Sequence, residues 1–356
     1  MVPVRAARAT ANRETPAARD AQAARESEDA LVRTWVARLG RSVAVTPIPG
    51  DASTRRYFRV RTRNSSFIAM KMQAFGDVGE QLPFIQVQRH LSRVGVNVPQ
   101  IIDVESRQGM ILLSDLGDET LLKRLERVSK KRDQLVWFKR AIDLVLNMQV
   151  IATKTTAPID AYGLYFDEEK LMWEVGFTLA HFYNGALARN IPAKENKTVE
   201  TYFKMICKRL ASQEWYFTHR DYHGRNVMVK GNDLYMIDFQ DARLGCPQYD
   251  LASLLRDSYY QLEEDVVYEL VDYYLRAKEK AEGVKENRKE FVRVFDLMSI
   301  QRNFKAIGSF ASFYMKRQDV RYLKFIGNTF ENIRRNLLKF PELEELRCLL
   351  FRYYYF

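Results

Sequence analysis

Cysteine is scarce in this chain. Its three cysteines, Cys207, Cys246 and Cys348, lie far apart and show neither disulfide nor metal-ligand spacing. That argues against a stapled scaffold or a thiolate zinc site and fits a reducing cytoplasm. A run of about 18 apolar residues is also missing, so no membrane insertion is expected. Acidic residues are in deficit, 45 against 56 basic ones, for a net charge of +11. The surplus favours an anionic ligand without choosing among nucleotide, acidic sugar, nucleic acid or membrane surface. Nucleic-acid binding would rest on charge alone, because no base-stacking or groove-reading motif appears. Large apolar residues are almost absent from the opening stretch, and residues 1–28 are expected to form a disordered or loosely helical tail.

What remains is enough for a full core, with 47% hydrophobic residues. Helical periodicity starts near Ala30 and stops at Gly40. "SVAVTPIPG", "RYFRVRT" and "SFIAMKM" read as three strands, and a helix over 82–94 and strands near 100–104 and 110–114 follow. From Thr120 onward, apolar residues at i, i+3 and i+4 predict helices near 131–150, 166–189, 198–213, 248–258, 262–283, 288–316 and 320–339. The fold class is therefore α+β, with a small β-rich lobe over 29–117 and a larger helical lobe over 118–356.

One stretch breaks the helical pattern. "THRDYHGRNVMVKGNDLYMIDFQDA" holds two of the four histidines, and it alternates on both sides of the turn pair Gly231-Asn232. Folding there brings Asn226 and Asp238 to the same end of a hairpin, with Asp221 one short loop earlier. Two carboxylates and an amide oxygen at one mouth suit Mg²⁺, which takes a few protein oxygens and completes its shell with water and phosphates. The spacing H-R-D-x-x-x-x-N followed by Asp-Phe is the pattern of phosphoryl transfer. It makes Asp221 the base for an attacking hydroxyl, Asn226 and Asp238 the metal ligands, and His219 a structural residue. His223 is as well suited to packing the loop as to touching a substrate.

Such chemistry needs a lysine on the third strand, and "FIAMK" ends at Lys71. Its helix partner is not evident: Gln86, Gln88 and Arg89 occupy the place, and the nearest carboxylate is Glu80. A G-x-G-x-x-G loop is lacking too. In its position "PGDASTRRYF" offers backbone amides, the hydroxyls of Ser53 and Thr54, and the charge of Arg55 or Arg56 to phosphate oxygens.

At these motifs the chain resembles the aminoglycoside phosphotransferase and choline kinase superfamily, whose members share the protein-kinase-like bilobal fold. The stretches "GDASTRRYFRV", "LLSDLGDETL", "HRDYHGRNVMV", "IDFQDARLGCPQYDLASLLRD" and "FDLMSIQRNFKAIGSFA" carry the likeness. Among its branches, the chain looks most like the bacterial cell-wall sugar kinases, which phosphorylate the anomeric hydroxyl of N-acetylmuramic acid and N-acetylglucosamine in peptidoglycan recycling. The resemblance implies ATP and Mg²⁺ as cofactors and a small sugar as substrate. It makes Asp250 a structural aspartate and Ser114, Asp115, Leu116 and Gly117 a hinge that receives adenine. Glu174 matches a glutamate expected near the sugar, and Arg302 and Lys305, at i and i+3, would face the site or form a solvated basic face. A cytoplasmic monomer is expected. Kinases of this fold acting on choline, an aminoglycoside or another sugar stay open, as does a pseudokinase. The basic, aromatic end "LRCLLFRYYYF" argues against cationic aminoglycosides.

Overall fold

A computed structural model describes residues 16–40, 42–49 and 55–355. The chain forms two compact units. The first runs to Asp77 and takes in Ile102–Asp115; the second holds Val78–Ile101 and continues from Leu116.

The first unit carries helix α1 (Pro16–Val36) and strands β1 (Ala44–Ile48), β2 (Arg56–Arg61) and β3 (Ser66–Lys71). Strands β4 (Ile101–Glu105) and β5 (Met110–Ser114) complete a five-stranded sheet of order β1-β2-β3-β5-β4. Strand β2 is antiparallel to β1 and β3, and β3 to β5, in a register that sets Phe58 opposite Ala69 and Ala69 opposite Leu112. The period-2 alternation puts Phe58, Val60, Ala69, Met110 and Leu112 into one core with Val32 and Val36 of α1. The helix starts well before the expected Ala30 and includes part of the stretch read as a tail. Two causes are visible: its sequence is alanine-rich, and Glu28 and Asp29 bond the Arg56 guanidinium at 2.9 and 2.6 Å. Residues 1–15 of that expected tail lie outside the described residues.

Helix α2 (Pro83–Arg93) belongs to the second unit rather than to the β-rich one. It buries Phe84, Ile85, Val87 and Leu91, and the Phe84 ring stacks on Phe239 at 5.1 Å. Next come α3 (Leu121–Arg127), α4 (Lys131–Lys154), α5 (Glu168–Thr178) and α6 (Ala193–Ala211). The single helix expected over 166–189 changes at Leu179 to a wider π-type winding that ends at Ala186. Four short strands form two pairs, β6 (Tyr216–Thr218) with β9 (Arg243–Gly245), and β7 (Val227–Lys230) with β8 (Asp233–Met236). Helices α7 (Gln248–Leu255), α8 (Glu264–Glu282), α9 (Arg288–Arg317), α10 (Ile326–Leu337) and α11 (Glu344–Tyr355) close the unit. The last of these lies beyond the helices expected from periodicity.

Candidate active site

The site is built on the β7–β8 hairpin. Gly231, with φ +63°, takes the first central position of its two-residue turn, where φ must be positive. Val227 then faces Met236, and the Ile237 N–H donates to the Asn226 carbonyl at 3.0 Å, one step beyond the strands. Asn226 and Asp238 thus emerge at the same end, as the spacing predicts. Asp238 itself sits at φ +64°, a conformation uncommon outside glycine. Its neighbour Phe239 is buried and anchored by the stack with Phe84.

The preceding loop is held from several directions. His219 Nε2 donates to the Ile237 carbonyl at 2.9 Å, tying the loop to the residue before Asp238. The carboxylate of Asp250 on α7 accepts the His219 and Arg220 N–H groups at 2.7 and 3.0 Å. Asp257, seven residues on, accepts the Gly224 N–H at 3.1 Å. Burial raises the Asp250 carboxyl to about 7 and Asp257 to about 6, with those N–H donors working against it. Asn226 Nδ2 donates to the Asp221 carbonyl at 3.0 Å, which leaves its Oδ1 as the acceptor. His223 packs inside the same loop, edge-on to the Tyr259 ring at 5.3 Å, and burial lowers its imidazole to about 3.

Asp221 is the electrostatic centre. Its Oδ1 accepts from Lys305 Nζ at 3.0 Å and from Arg302 at 3.2 Å. The two α9 cations are therefore not a solvated face; their side chains are 12% and 9% exposed, while Asp221 keeps 27% open to a reactant. Burial alone would raise the Asp221 carboxyl, but Lys305, Arg302 and Arg220 hold it well below the usual carboxylate range.

Helix α5 completes the wall. Glu174 is buried, and its Oε2 accepts from Gln301 Nε2 of α9 at 3.1 Å. Gly308 allows that approach, because a Cβ there would lie 2.4 Å from Thr178 Oγ1 and 2.8 Å from Thr178 Cα. Thr178 Oγ1 instead donates to the Phe304 carbonyl at 2.9 Å across the contact. Glu174 Oε1, Gln301 Oε1, Tyr249 OH and Arg220 Nε are all buried and have no hydrogen-bond partner among the described residues. Leaving such atoms unsatisfied costs about 1–3 kcal/mol each.

Four of the expected nucleotide residues, Arg55, Lys71, Ser114 and Asp115, are described in the first unit. Lys71 Nζ donates to the Met72 carbonyl at 2.7 Å. Glu80, the nearest carboxylate considered as its partner, is paired with Arg89. The Asp115 carboxylate takes a two-pronged Arg59 contact at 2.7 and 3.1 Å and the Ser66 hydroxyl at 2.6 Å. Its side chain is thus tied to β2 and β3. Ser114 pairs with Phe67 at the end of β5, and Leu116 is buried in the second unit. Arg55 precedes β2; Ser53 and Thr54 lie outside the described residues.

Tyr249, Gln301, Arg220 and Asp257 escaped the sequence reading. Arg220 stands inside the H-R-D string and Asp257 repeats Asp250 after seven residues, so both had a signal. Tyr249 and Gln301 stand in the stretches that carry the family likeness, but pattern alone does not tell a buried polar end from an ordinary core position.

The oxygens of Asn226 and Asp238 fit a magnesium ion in their chemistry. They are hard donors and fewer than the six that the ion takes, as suits a site shared with substrate phosphates. Among the described residues no group of three or more His, Cys, Asp or Glu side chains could hold a metal by itself.

The fold is that of small-molecule kinases. The aminoglycoside phosphotransferase APH(2'')-Ib, solved with ADP bound, superposes with a TM-score of 0.58 at 15% identity, covering 86% of this chain and 97% of that one. A choline/ethanolamine kinase family protein from Mesorhizobium loti gives 0.60 at 13% identity, over 90% and 98%. The chain belongs to the phosphotransferase enzyme family, whose sequence profile matches residues 44–284. It is 31% identical over 309 residues to the N-acetylmuramate/N-acetylglucosamine kinase of Pseudomonas aeruginosa, covering 85% of this chain and 87% of that one. It is 29% identical over 311 residues to the enzyme of the same name from Neisseria meningitidis, covering 87% and 90%.

Proposed function

We propose that the protein is an ATP- and Mg²⁺-dependent kinase that phosphorylates the anomeric hydroxyl of N-acetylmuramic acid or N-acetylglucosamine, in peptidoglycan recycling. The observation that carries this reading is the arrangement around Asp221. One loop ties Asn226 to the Asp221 carbonyl, while Lys305 and Arg302 fix the carboxylate. The unsatisfied polar atoms of Glu174, Gln301 and Tyr249 are of a kind that sugar hydroxyls would pair. The shared name of the relatives supports the same substrate class.

Asp221 orients the acceptor hydroxyl and receives its proton. A strongly held carboxylate is a weak base, yet an adequate one here: phosphoryl transfer passes through a loose transition state that asks little of the base. An anomeric hydroxyl is also more acidic than an ordinary alcohol. Asn226 and Asp238 would hold Mg²⁺, which when bound with ATP neutralises charge on the transferred phosphoryl group. Lys71 and the backbone of 114–117 would contribute to nucleotide binding. A cytoplasmic setting is supported by the free cysteines Cys207, Cys246 and Cys348; among the described residues no helix is long and apolar enough to cross a membrane. We further take the working unit to be a monomer.

The test is ATP consumption with Mg²⁺ against N-acetylmuramic acid, N-acetylglucosamine, glucose, choline and kanamycin. An alkali-stable, acid-labile sugar phosphate from the N-acetyl sugars is expected. Turnover only of choline or kanamycin would discard the substrate, and binding of Mg·ATP without any turnover would make the protein a pseudokinase.

A further inference from the structure

One cation of the loop that carries Asp221 has no part in the mechanism above. Arg225 stands between Gly224 and Asn226. The Gly224 backbone is held on both sides, its N–H by Asp257 at 3.1 Å and its carbonyl by the Leu122 N–H of α3 at 2.9 Å. Asn226 is tied back into the loop, its N–H to the His223 carbonyl at 2.9 Å and its side chain to the Asp221 carbonyl at 3.0 Å. Arg225 reaches out of the loop instead. Its guanidinium lies over the Tyr259 ring at 4.8 Å and over the Tyr322 ring at 5.6 Å, both within the roughly 6 Å at which a ring attracts a cation. The two rings are themselves well fixed. Asp257 accepts the Tyr259 N–H at 2.9 Å, and α10 braces the residues between α7 and Tyr259 through Thr329, which donates to the Ser258 hydroxyl at 2.8 Å, and Asn332, which donates to the Arg256 carbonyl at 3.1 Å. Tyr322 is buried in a short 3-10 turn, Val320–Phe325, between α9 and α10, and stacks on Phe310 at 5.8 Å. Phe325 of the same turn meets Tyr259 edge-on at 4.6 Å.

We propose that Arg225 is a positioning residue for Asn226, with Tyr259 and Tyr322 as its anchor, so that the turn between α9 and α10 helps to set the affinity for magnesium-bound nucleotide. This rests on the reading of Asn226 as a metal ligand given above. The hydrogen bonds of Asn226 hold it to its own loop, and they would travel with the loop if it shifted as a body. The two rings belong to segments far along the chain and fix the loop from outside. Holding the Arg225 side chain there limits the turning of the peptide that joins it to Asn226, and with it the arc open to Asn226 Oδ1. Magnesium demands near-ideal ligand geometry, so a loosened Asn226 shows in metal affinity. A cation suits the anchor better than an apolar chain of the same length, because the ring faces attract its charge.

The experiment titrates the full chain by calorimetry with ADP plus Mg²⁺ and with ADP plus EDTA, for wild type, Arg225→Met, Arg225→Lys, Tyr322→Leu and Tyr322→Phe. The wild type is expected to bind Mg·ADP more tightly than metal-free ADP. Arg225→Met and Tyr322→Leu should each weaken Mg·ADP about 10-fold and leave metal-free ADP unmoved. Arg225→Lys and Tyr322→Phe, which keep the cation and the ring, should recover most of the loss. Arg225 is only half-buried, so its variants keep the test available if Tyr322→Leu does not fold. A lowered Tm with the Mg·ADP advantage intact makes the contact merely structural and overturns the proposal. Equal weakening with and without Mg²⁺ assigns Arg225 to the nucleotide and overturns it too, and so does tighter Mg·ADP in Arg225→Met, which would make the charge rather than the anchor what the metal senses. A wild type that binds ADP equally with and without Mg²⁺ overturns the metal-site reading and the proposal together.

Discussion

The two units use their polar side chains differently. In the helical unit they converge: Lys305 and Arg302 on Asp221, Gln301 on Glu174, and Asn226 on the loop backbone. In the β-rich unit three of the side chains weighed for nucleotide contact are bonded within that unit. Arg56 is held by α1, Asp115 by Arg59 and Ser66, and Lys71 by the Met72 carbonyl. The difference teaches that the helical unit gathers polar side chains from elements distant in the chain, whereas the polar side chains of the β-rich unit are taken up by partners within that unit.

The strongest attempt to break that contrast is Asp221→Asn. It should lower kcat by about 10²–10⁴-fold while ATP binding survives, as turnover assays and nucleotide titration would reveal. Full activity in this variant would remove the helical unit's claim to the chemistry. Gly308→Ala is the next largest. The added Cβ meets Thr178 at 2.4 Å and must push α9 from α5. Overpacking of that kind costs about 1–3 kcal/mol, and displacement of Arg302 and Lys305 should reduce kcat about 10–100-fold. An unchanged Tm and kcat would show that the helix contact is not what sets the site.

A smaller effect sharpens the picture of the loop. Burial lowers His223 to about 3, so the folded protein keeps it neutral while the unfolded chain takes up a proton below about 6.5. Its contribution to stability is present above 6.5 and is lost as pH falls through 3. In His223→Phe, which preserves a ring against Tyr259, that loss disappears. Tm of the variant relative to wild type should rise steadily from pH 6.5 toward 3; a pH-independent difference would contradict the neutral, buried histidine. Smallest of all is Arg56→Ala. Its two ion pairs with α1 are partly exposed, and about 0.2–1 kcal/mol is expected from them. A clear rise in KM for ATP would show instead that this arginine serves the nucleotide, and would weaken the contrast between the units.

Much of the site was legible because its chemistry is local in the chain. The hairpin turn at Gly231-Asn232, the alternation around it and the H-R-D-x-x-x-x-N spacing lie within one short stretch, and backbone geometry carries Asn226 and Asp238 to the same end. The sheet strands were equally plain, since period-2 patterns such as Phe58, Val60 and Phe67, Ala69 report a buried face directly. The early start of α1 was less so. Its lower half has no apolar stripe, and the contacts of Glu28 and Asp29 with Arg56 depend on a strand far along the chain.

The sequence by itself determined the hairpin that carries Asn226 and Asp238 to the same end, the α+β division and the family. The tertiary structure alone decided what surrounds Asp221. It chose, for Arg302 and Lys305, between a site-facing pair and a solvated basic face by bonding both to Asp221. It placed Asp257 beside Asp250 as a second brace for the loop, and it buried Tyr249 and Gln301 with polar atoms left over. The reason is physical: turns and strand alternation are settled by neighbours in the chain. The burial and charge environment of a side chain is settled by helices such as α5 and α9, which meet only once Gly308 lets them close.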